Sequence, residues 1–248
     1  METLFIGKKY YSFQELPSTN TWLMESLVAH KLPEGTLVLA DHQTEGKGQF
    51  GAIWSSEPSS SLTFSILLKP IFLPISNTYD ISICIALAIH DCLNELRPGF
   101  KIKWPNDIYF ENKKVAGILI ENQIHKSSCE HSVVGIGLNV NQTEFFKLPK
   151  ATSLKQIIGV NFPVQNLLDR LCETIEARYL QLRANMYPSL LKSYLEHMYW
   201  FNEIHTFQTD ALQFNASIIG VLRNGRLLLK FSDGSKRDFE IKELQFIA

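Results

Sequence analysis

The run Val115-Ala116-Gly117-Ile118-Leu119-Ile120 is apolar at every position. A strand with no polar alternation has to be covered on both faces, so this chain needs a sheet with packed layers or a closed site on either side of it. The run follows Lys103-Trp104-Pro105-Asn106-Asp107-Ile108-Tyr109-Phe110-Glu111-Asn112-Lys113-Lys114, in which charges sit close to β-branched and aromatic residues. Pro105 biases Trp104 toward an extended conformation and interrupts a strand. Asn106-Asp107 supplies a turn or bulge. Lys114, at the mouth of the apolar strand, is well placed to meet a phosphate. On these residues alone two readings stand level, a hairpin with solvated lysines and the working edge of a site.

Elsewhere the periodicity alternates between strand and helix. Leu4 to Phe13 reads as an extended opening strand, and Pro17-Ser18-Thr19-Asn20 offers N-caps to a helix carrying Leu23, Met24, Leu27 and Val28. Gly35 to His42, Leu62 to Lys69 and Ser132 to Val140 read as strands. Ile81, Ile85, Ala88, Ile89, Cys92 and Leu96 give an amphipathic helix. Pro163 suits the N1 position of another, with a stripe from Val164 to Leu182, and a further helix runs from Pro188 to about Tyr199. After Glu203 short alternating runs are punctuated by the hairpin signals Asn224-Gly225 and Asp233-Gly234. The expected organisation is a mixed α/β (α+β) domain over residues 1–203 and a small C-terminal β-barrel module over 204–248.

Bulk composition excludes several classes. With 248 residues, 45% hydrophobic and 20% charged, the chain has the makings of a full core. A net charge of −1 and a pI of about 6.7 supply no global field for nucleic acid or anionic membrane. Cys84, Cys92, Cys129 and Cys172 lack CxxC spacing, which argues against zinc or a disulfide framework. The N-terminal residues lack a signal-peptide pattern and no window of 18 apolar residues exists, so the expected setting is the cytoplasm, without a membrane partner.

Two further segments carry possible chemistry. Gln43 to Trp54 holds three glycines and few core residues, and reads as a mobile loop whose backbone can approach a ligand. It has neither P-loop nor dinucleotide-fingerprint spacing, and a plain surface loop is the bland alternative. Gly135-Ile136-Gly137-Leu138-Asn139-Val140-Asn141 alternates glycines in an apolar strand, exposing one face of backbone to a flat ligand, or else marking a bulge or close packing.

Taken in order, these segments resemble the biotin protein ligases. The resemblance includes Ser18-Thr19-Asn20, Gln43-Thr44 and the glycine loop, KWPND, the strand Lys114 to Glu121, GIGLNVN and the C-terminal β-module. It implies a catalytic domain related to class II synthetases followed by an SH3-like barrel. The implied reaction joins biotin and ATP, with Mg²⁺, into biotinyl-5′-AMP, then transfers biotin to a lysine of a biotin carboxyl carrier domain. By that resemblance Lys114 carries adenylation, Lys103 assists at the phosphates and Asp107 meets the acceptor amine. Ser18, Thr19, Asn20, Gln43, Gly46, Lys114, Gly117, Gly135 and Gly137 would bind biotin. Lys47, Gly48, Gln49, Trp54, Asn106, Lys114 and Asn139 would bind ATP or the adenylate. No metal ligands are assigned. A homodimer is compatible with the resemblance, and a DNA-binding form with an N-terminal winged helix is not expected.

The loop departs from the family pattern Gly-Arg-Gly-Arg-x-Gly-Arg-x-Trp. Here it is Gly46-Lys47-Gly48-Gln49-Phe50-Gly51-Ala52-Ile53-Trp54, without an arginine. Lys47 keeps one charge but not the bidentate fork, Gln49 only hydrogen-bonding capacity, and Ala52 neither. A looser hold on the intermediate, or reliance on Lys47 and Lys114 in place of the arginines, is the expected consequence. A lipoate or octanoate ligase, a non-catalytic biotin- or nucleotide-binding regulator and a nucleic-acid-binding module are the competing readings.

Overall fold

The computed structural model describes residues 2–125, 128–146 and 148–247. The chain runs β1 (Tyr10–Leu16), α1 (Thr19–Ala29), β2 (Leu37–Gln43), β3 (Ser61–Leu68), α2 (Tyr79–Leu96), β4 (Phe100–Lys103), β5 (Asp107–Phe110), β6 (Lys113–His125) and β7 (Ser128–Asn139). There follow α3 (Leu154–Ile158), α4 (Val164–Arg183), α5 (Tyr187–Glu196), β8 (Ile204–Gln208), β9 (Gln213–Val221), β10 (Leu227–Phe231), β11 (Lys236–Phe239) and β12 (Gln245–Ile247). The first seven strands form one sheet in the order β1-β2-β3-β7-β6-β5-β4. Only the β1–β2 pair is parallel.

The two faces of this sheet differ in chemistry. Leu37, Leu39, Leu62, Phe64, Ile66, Val134, Ile136 and Leu138 point to one side and pack in the main core with α2 and α4. Their alternates Val38, Ala40, Leu67 and Val133 join Leu23 of α1 in a small cluster on the other side. That second face also carries Thr63, Ser65, Gly117, Gly135 and Gly137, because successive side chains alternate across a strand. It is aliphatic where α1 covers it and polar or bare further along, which leaves room for a site.

Several expectations need correction. The opening strand starts at Tyr10 rather than Leu4. The backbone N–H groups of Phe5 and Ile6 donate to the buried carboxylate of Glu176, at 2.8 and 2.9 Å, and not to a ladder. Pro163 is the N-cap of α4, one position before the expected one. The last helix ends at Glu196, short of Tyr199.

Residues after 203 form a five-stranded antiparallel sheet, β11-β10-β9-β8-β12. Gly225 (φ 90°) and Gly234 (φ 84°) occupy the left-handed region in its two tight turns, as the Asn-Gly and Asp-Gly signals require. This sheet shares the main core through Phe207, Ile218, Leu227 and Phe239. Its 222–226 turn is pinned to the β4–β5 turn and to α2: Trp104 Nε1 donates to the Gly225 carbonyl at 2.9 Å, and Arg223 pairs with buried Asp80 at 3.0 Å. Among the described residues no helix is long and apolar enough to cross a membrane.

Candidate active site

Ser18 caps α1, in extended backbone at φ −160°, with its Oγ accepting from Thr21 N–H at 3.4 Å. That cap fixes Thr19 and Asn20 on the first turn, above the bare strip of the sheet. Gln43, the last residue of β2, reaches across: its Oε1 accepts from the Thr19 backbone N–H at 2.7 Å. These residues form the polar end of a cavity of about 210 Å³. Its floor is Gly117, Gly135 and Gly137, and its far end holds Asn106, Asp107 and Lys114.

Lys114 reaches that end because of a bulge. Tyr109 stands opposite Lys114 and Ile108 opposite Ala116, so Val115 is an extra residue in β6. Strict alternation from Ala116 and Ile118, both in the core, would have sent Lys114 into the core as well. The inserted residue turns it to the site face, while Val115 itself stays fully buried. Lys114 Nζ lies 2.7 Å from Asp107 Oδ1, in ionic contact but without hydrogen-bond alignment. Lys113, its exposed neighbour, stays outside the site.

The Gln43–Trp54 segment is not the open loop its composition implied. It folds back as a hairpin: Trp54 N–H donates to the Gly46 carbonyl at 2.9 Å, and Gly48 N–H to the Ala52 carbonyl at 2.7 Å. Gly46 serves that closure, since a Cβ there would lie 2.2 Å from the Trp54 carbonyl oxygen. Gly46 lies outside the cavity lining, whereas Lys47, Gly48, Gln49 and Trp54 belong to it. The half-buried Trp54 indole lies on the sheet floor, where a Cβ at Gly137 would come within 2.3 Å of it.

A second cavity of about 250 Å³ adjoins the first, with Trp54 and Lys114 in the wall of both. Tyr109, Asn139, Phe145, Leu148 and Ala151 line it. Asn139 is buried and donates through Nδ2 to the Thr152 carbonyl at 3.0 Å, holding the 150–152 segment beside Lys114. Lys114 itself donates its backbone N–H to the Lys150 carbonyl at 2.7 Å.

Lys103 lines neither cavity. It donates to Tyr109 Oη at 3.1 Å, with its ammonium over the rings of Tyr109 and Phe246. Burial lowers its pKa from the ordinary 10.5, as do the charges of Lys150 and Lys114, against an opposing pull from Asp107. Burial and the nearby Asp107 charge also push the Tyr109 phenol upward. Among the described residues no group of three His, Cys, Asp or Glu is assembled that could hold a metal.

Sequence reasoning singled out neither Ser65 and Glu121, which hydrogen-bond Thr19 and Asn20 beneath the polar end, nor Phe145 and residues 148–151, which line the second cavity. Ser65 sits in a strand whose only visible signal was hydrophobicity. The 145–151 segment carries no motif, and no sequence signal singled it out.

The chain matches the Biotin/lipoate A/B protein ligase family over residues 12–139. Among curated relatives, a bifunctional ligase/repressor BirA of Bacillus subtilis is 29% identical over 243 residues, 96% of this chain and 74% of that protein. A biotin–[acetyl-CoA-carboxylase] ligase of Mycobacterium tuberculosis is 32% identical over 182 residues, 71% of this chain and 66% of that protein. Among solved structures, a biotin protein ligase from Aquifex aeolicus in complex with biotin and ATP superposes with a TM-score of 0.80 at 27% identity, covering 97% of this chain and all of that one. A mixed α/β fold with two joined cavities and a lysine between them thus finds its class, and the protein is a ligase. The chain belongs to the biotin/lipoate A/B protein ligase family.

Proposed function

We propose that this protein activates biotin with ATP as biotinyl-5′-AMP and transfers the biotinyl group to a lysine of a biotin carboxyl carrier domain. The observation that carries the reading is the position of Lys114, which lines both cavities where they meet. The first cavity has the polar end and flat floor suited to a ureido ring and its apolar body, and the second has the aromatic and aliphatic walls suited to an adenine.

In the first step a biotin carboxylate oxygen attacks the α-phosphorus, and the bond to pyrophosphate breaks. Two anions approach each other, so a fixed cation is needed where charge accumulates. The Lys114 ammonium supplies it, and Lys47 adds a second charge from the rim. Mg²⁺ enters as part of the nucleotide substrate, bound to its phosphates. In the second step the acceptor lysine's amine attacks the acyl carbon and AMP leaves. Asp107, 2.7 Å from Lys114, lies where it can orient that amine and accept its proton.

Residues 1–203 act as the catalytic unit and 204–248 as an SH3-like module whose 222–226 turn braces the Trp104–Asp107 turn. The four cysteines are all free and buried, which agrees with work in the reducing cytoplasm. The test is ATP–pyrophosphate exchange with biotin and lipoate in competition, followed by labelling of a carrier domain. Exchange driven by lipoate in preference to biotin refutes the reading.

A further inference from the structure

Beneath the polar end of the first cavity lies a chain of four side chains whose donor and acceptor roles follow from the acceptors at one end. Asn20 Nδ2 lies 2.7 Å from Glu121 Oε2. The Leu119 carbonyl, 3.4 Å from the same nitrogen, can only accept, so the NH₂ of Asn20 must face this side and Asn20 Oδ1 must face the other way. There it meets Ser65 Oγ at 2.6 Å. An amide oxygen also only accepts, so Ser65 spends its single proton on Asn20. Ser65 Oγ lies 2.7 Å from Thr19 Oγ1 as well. With its own proton committed, Ser65 accepts there and Thr19 donates.

The consequence falls on the cavity. Thr19 Oγ1 has no proton left to offer and faces the ligand space with lone pairs only. Gln43 Oε1, 3.0 Å away, is still satisfied by the Thr19 backbone N–H. That same bond fixes the Gln43 amide, which leaves its NH₂ available as a donor. A hydroxyl with free choice is neutral toward donors and acceptors. This one is not, because Thr19, Asn20 and Ser65 are all buried and bulk water cannot re-pair them.

We propose that Glu121, Asn20 and Ser65 form a polarity relay that makes Thr19 Oγ1 a dedicated acceptor for a ring N–H of the ligand, with Gln43 Nε2 the paired donor for an adjacent carbonyl. The inference rests on the biotin reading and deepens it: Ser65 and Glu121 are positioning residues for a cyclic urea. Gly135 belongs to the same device, since a Cβ there would lie 2.4 Å from Asn20 Oδ1.

The test is calorimetric titration of the full chain with biotin and with two cyclic carbamates, each having one ring N–H replaced by oxygen. A site built around a ligand N–H rejects the analogue lacking it by about 10⁴-fold, and the wild type is expected to reject one of the two on that scale. Ser65→Ala frees the Thr19 hydroxyl to turn and donate, so the biotin-to-carbamate ratio narrows at least about tenfold. Ser65→Thr, which keeps the hydroxyl, holds the wild-type ratio. Glu121→Ala, at a partly exposed position, lets Asn20 turn over and narrows the ratio in the same direction, so the relay is tested even if Ser65→Ala fails to fold. Equal loss of affinity for biotin and carbamates, with unchanged ratios in both alanine variants, overturns the relay. A wild type that binds no biotin refutes the functional reading instead.

Discussion

Gly137→Ala is the sharpest probe of the wall between the two cavities. The added Cβ would lie 2.3 Å from Trp54 Cε2 and 2.5 Å from Cζ2, where ordinary contact begins at 3.4 Å. The strand cannot yield, because Gly137 pairs with Thr63 on one side and Gly117 on the other in the middle of the sheet. The indole must therefore lift by about 1 Å. It is only half-buried, so it can swing outward, and the stability cost belongs near the lower end of the ~1–3 kcal/mol typical of overpacking. Function has less latitude. A displacement of about 1 Å at a positioning group costs up to about 100-fold in rate, or ~2.7 kcal/mol of barrier. We expect kcat/KM for biotin in pyrophosphate exchange to fall by about 30- to 100-fold, with a shift in tryptophan fluorescence and a small drop in Tm. Wild-type kinetics together with unshifted fluorescence would refute the argument that Trp54 needs a bare floor.

Asp107→Asn keeps the shape at the 2.7 Å contact and removes the charge; transfer from preformed biotinyl-AMP should slow at least about 100-fold while exchange falls less than about tenfold. Equal losses in both assays would count against a role in the second step. Arg223→Ala leaves Asp80, a fully buried carboxylate whose pKa burial already raises above 3.8, without its cation. The loss should be about 2 kcal/mol in urea unfolding at neutral pH, below the ~3–5 of a fully buried pair because Arg223 is nearly half exposed; an unchanged midpoint would contradict it. His197 is held below 6.5 by burial, by stacked His90 and by Lys101, against the opposing charges of Asp91 and Glu196. Between its folded value and 6.5 the unfolded chain binds more protons, so stability is lost as pH falls through that window, and His197→Asn should flatten the slope of Tm against pH. Finally, bystander proteins mixed with enzyme, biotin and ATP should be labelled more than by a ligase with arginines in this loop; equal labelling would show that Lys47 and Lys114 retain the adenylate on their own.

Elements with strong periodicity were legible in the sequence, and so was the company kept by the site residues. The Asn224-Gly225 and Asp233-Gly234 turns fall where their backbone chemistry put them. Ser18, Thr19, Gln43, Asp107, Lys114 and the sheet glycines, scattered over some 120 residues, do line one cavity. What local pattern could not show was pairing at long range. Residues 4 to 9 look like strand, but a carboxylate at position 176 claims the N–H groups of Leu4, Phe5 and Ile6. The loop of residues 46–54 looks open because glycines are ambiguous: the same absence of Cβ that suits a ligand suits a tight hairpin. Its tip then meets the second sheet, with Lys242 over the Phe50 ring at 4.3 Å, a contact between residues 192 positions apart. Lys103, a helper at the phosphates by resemblance, lines neither cavity, and Phe246 from the last strand helps to enclose it.

The apolar run at 115–120 shows how one strand can meet two demands. Its even positions, Ala116, Ile118 and Ile120, pack into the core, and the odd positions Gly117 and Leu119 face the cavity. Extended backward without interruption, that alternation would bury the Lys114 ammonium among aliphatic side chains, where an unpaired charge is untenable. A bulge at Val115 reverses the phase for one residue, so that valine enters the core and lysine enters the site. The register slip that would be an error in a plain sheet is here what gives the fold its central cation. It also accounts for the neighbouring hydrogen bonds. The irregular end of β6 has no β7 residue beside it, and the 150–152 segment, tied down by Asn139, takes the free N–H and C=O of Lys114. Asn139 therefore bears on the placement of Lys114 through the backbone of the 150–152 segment.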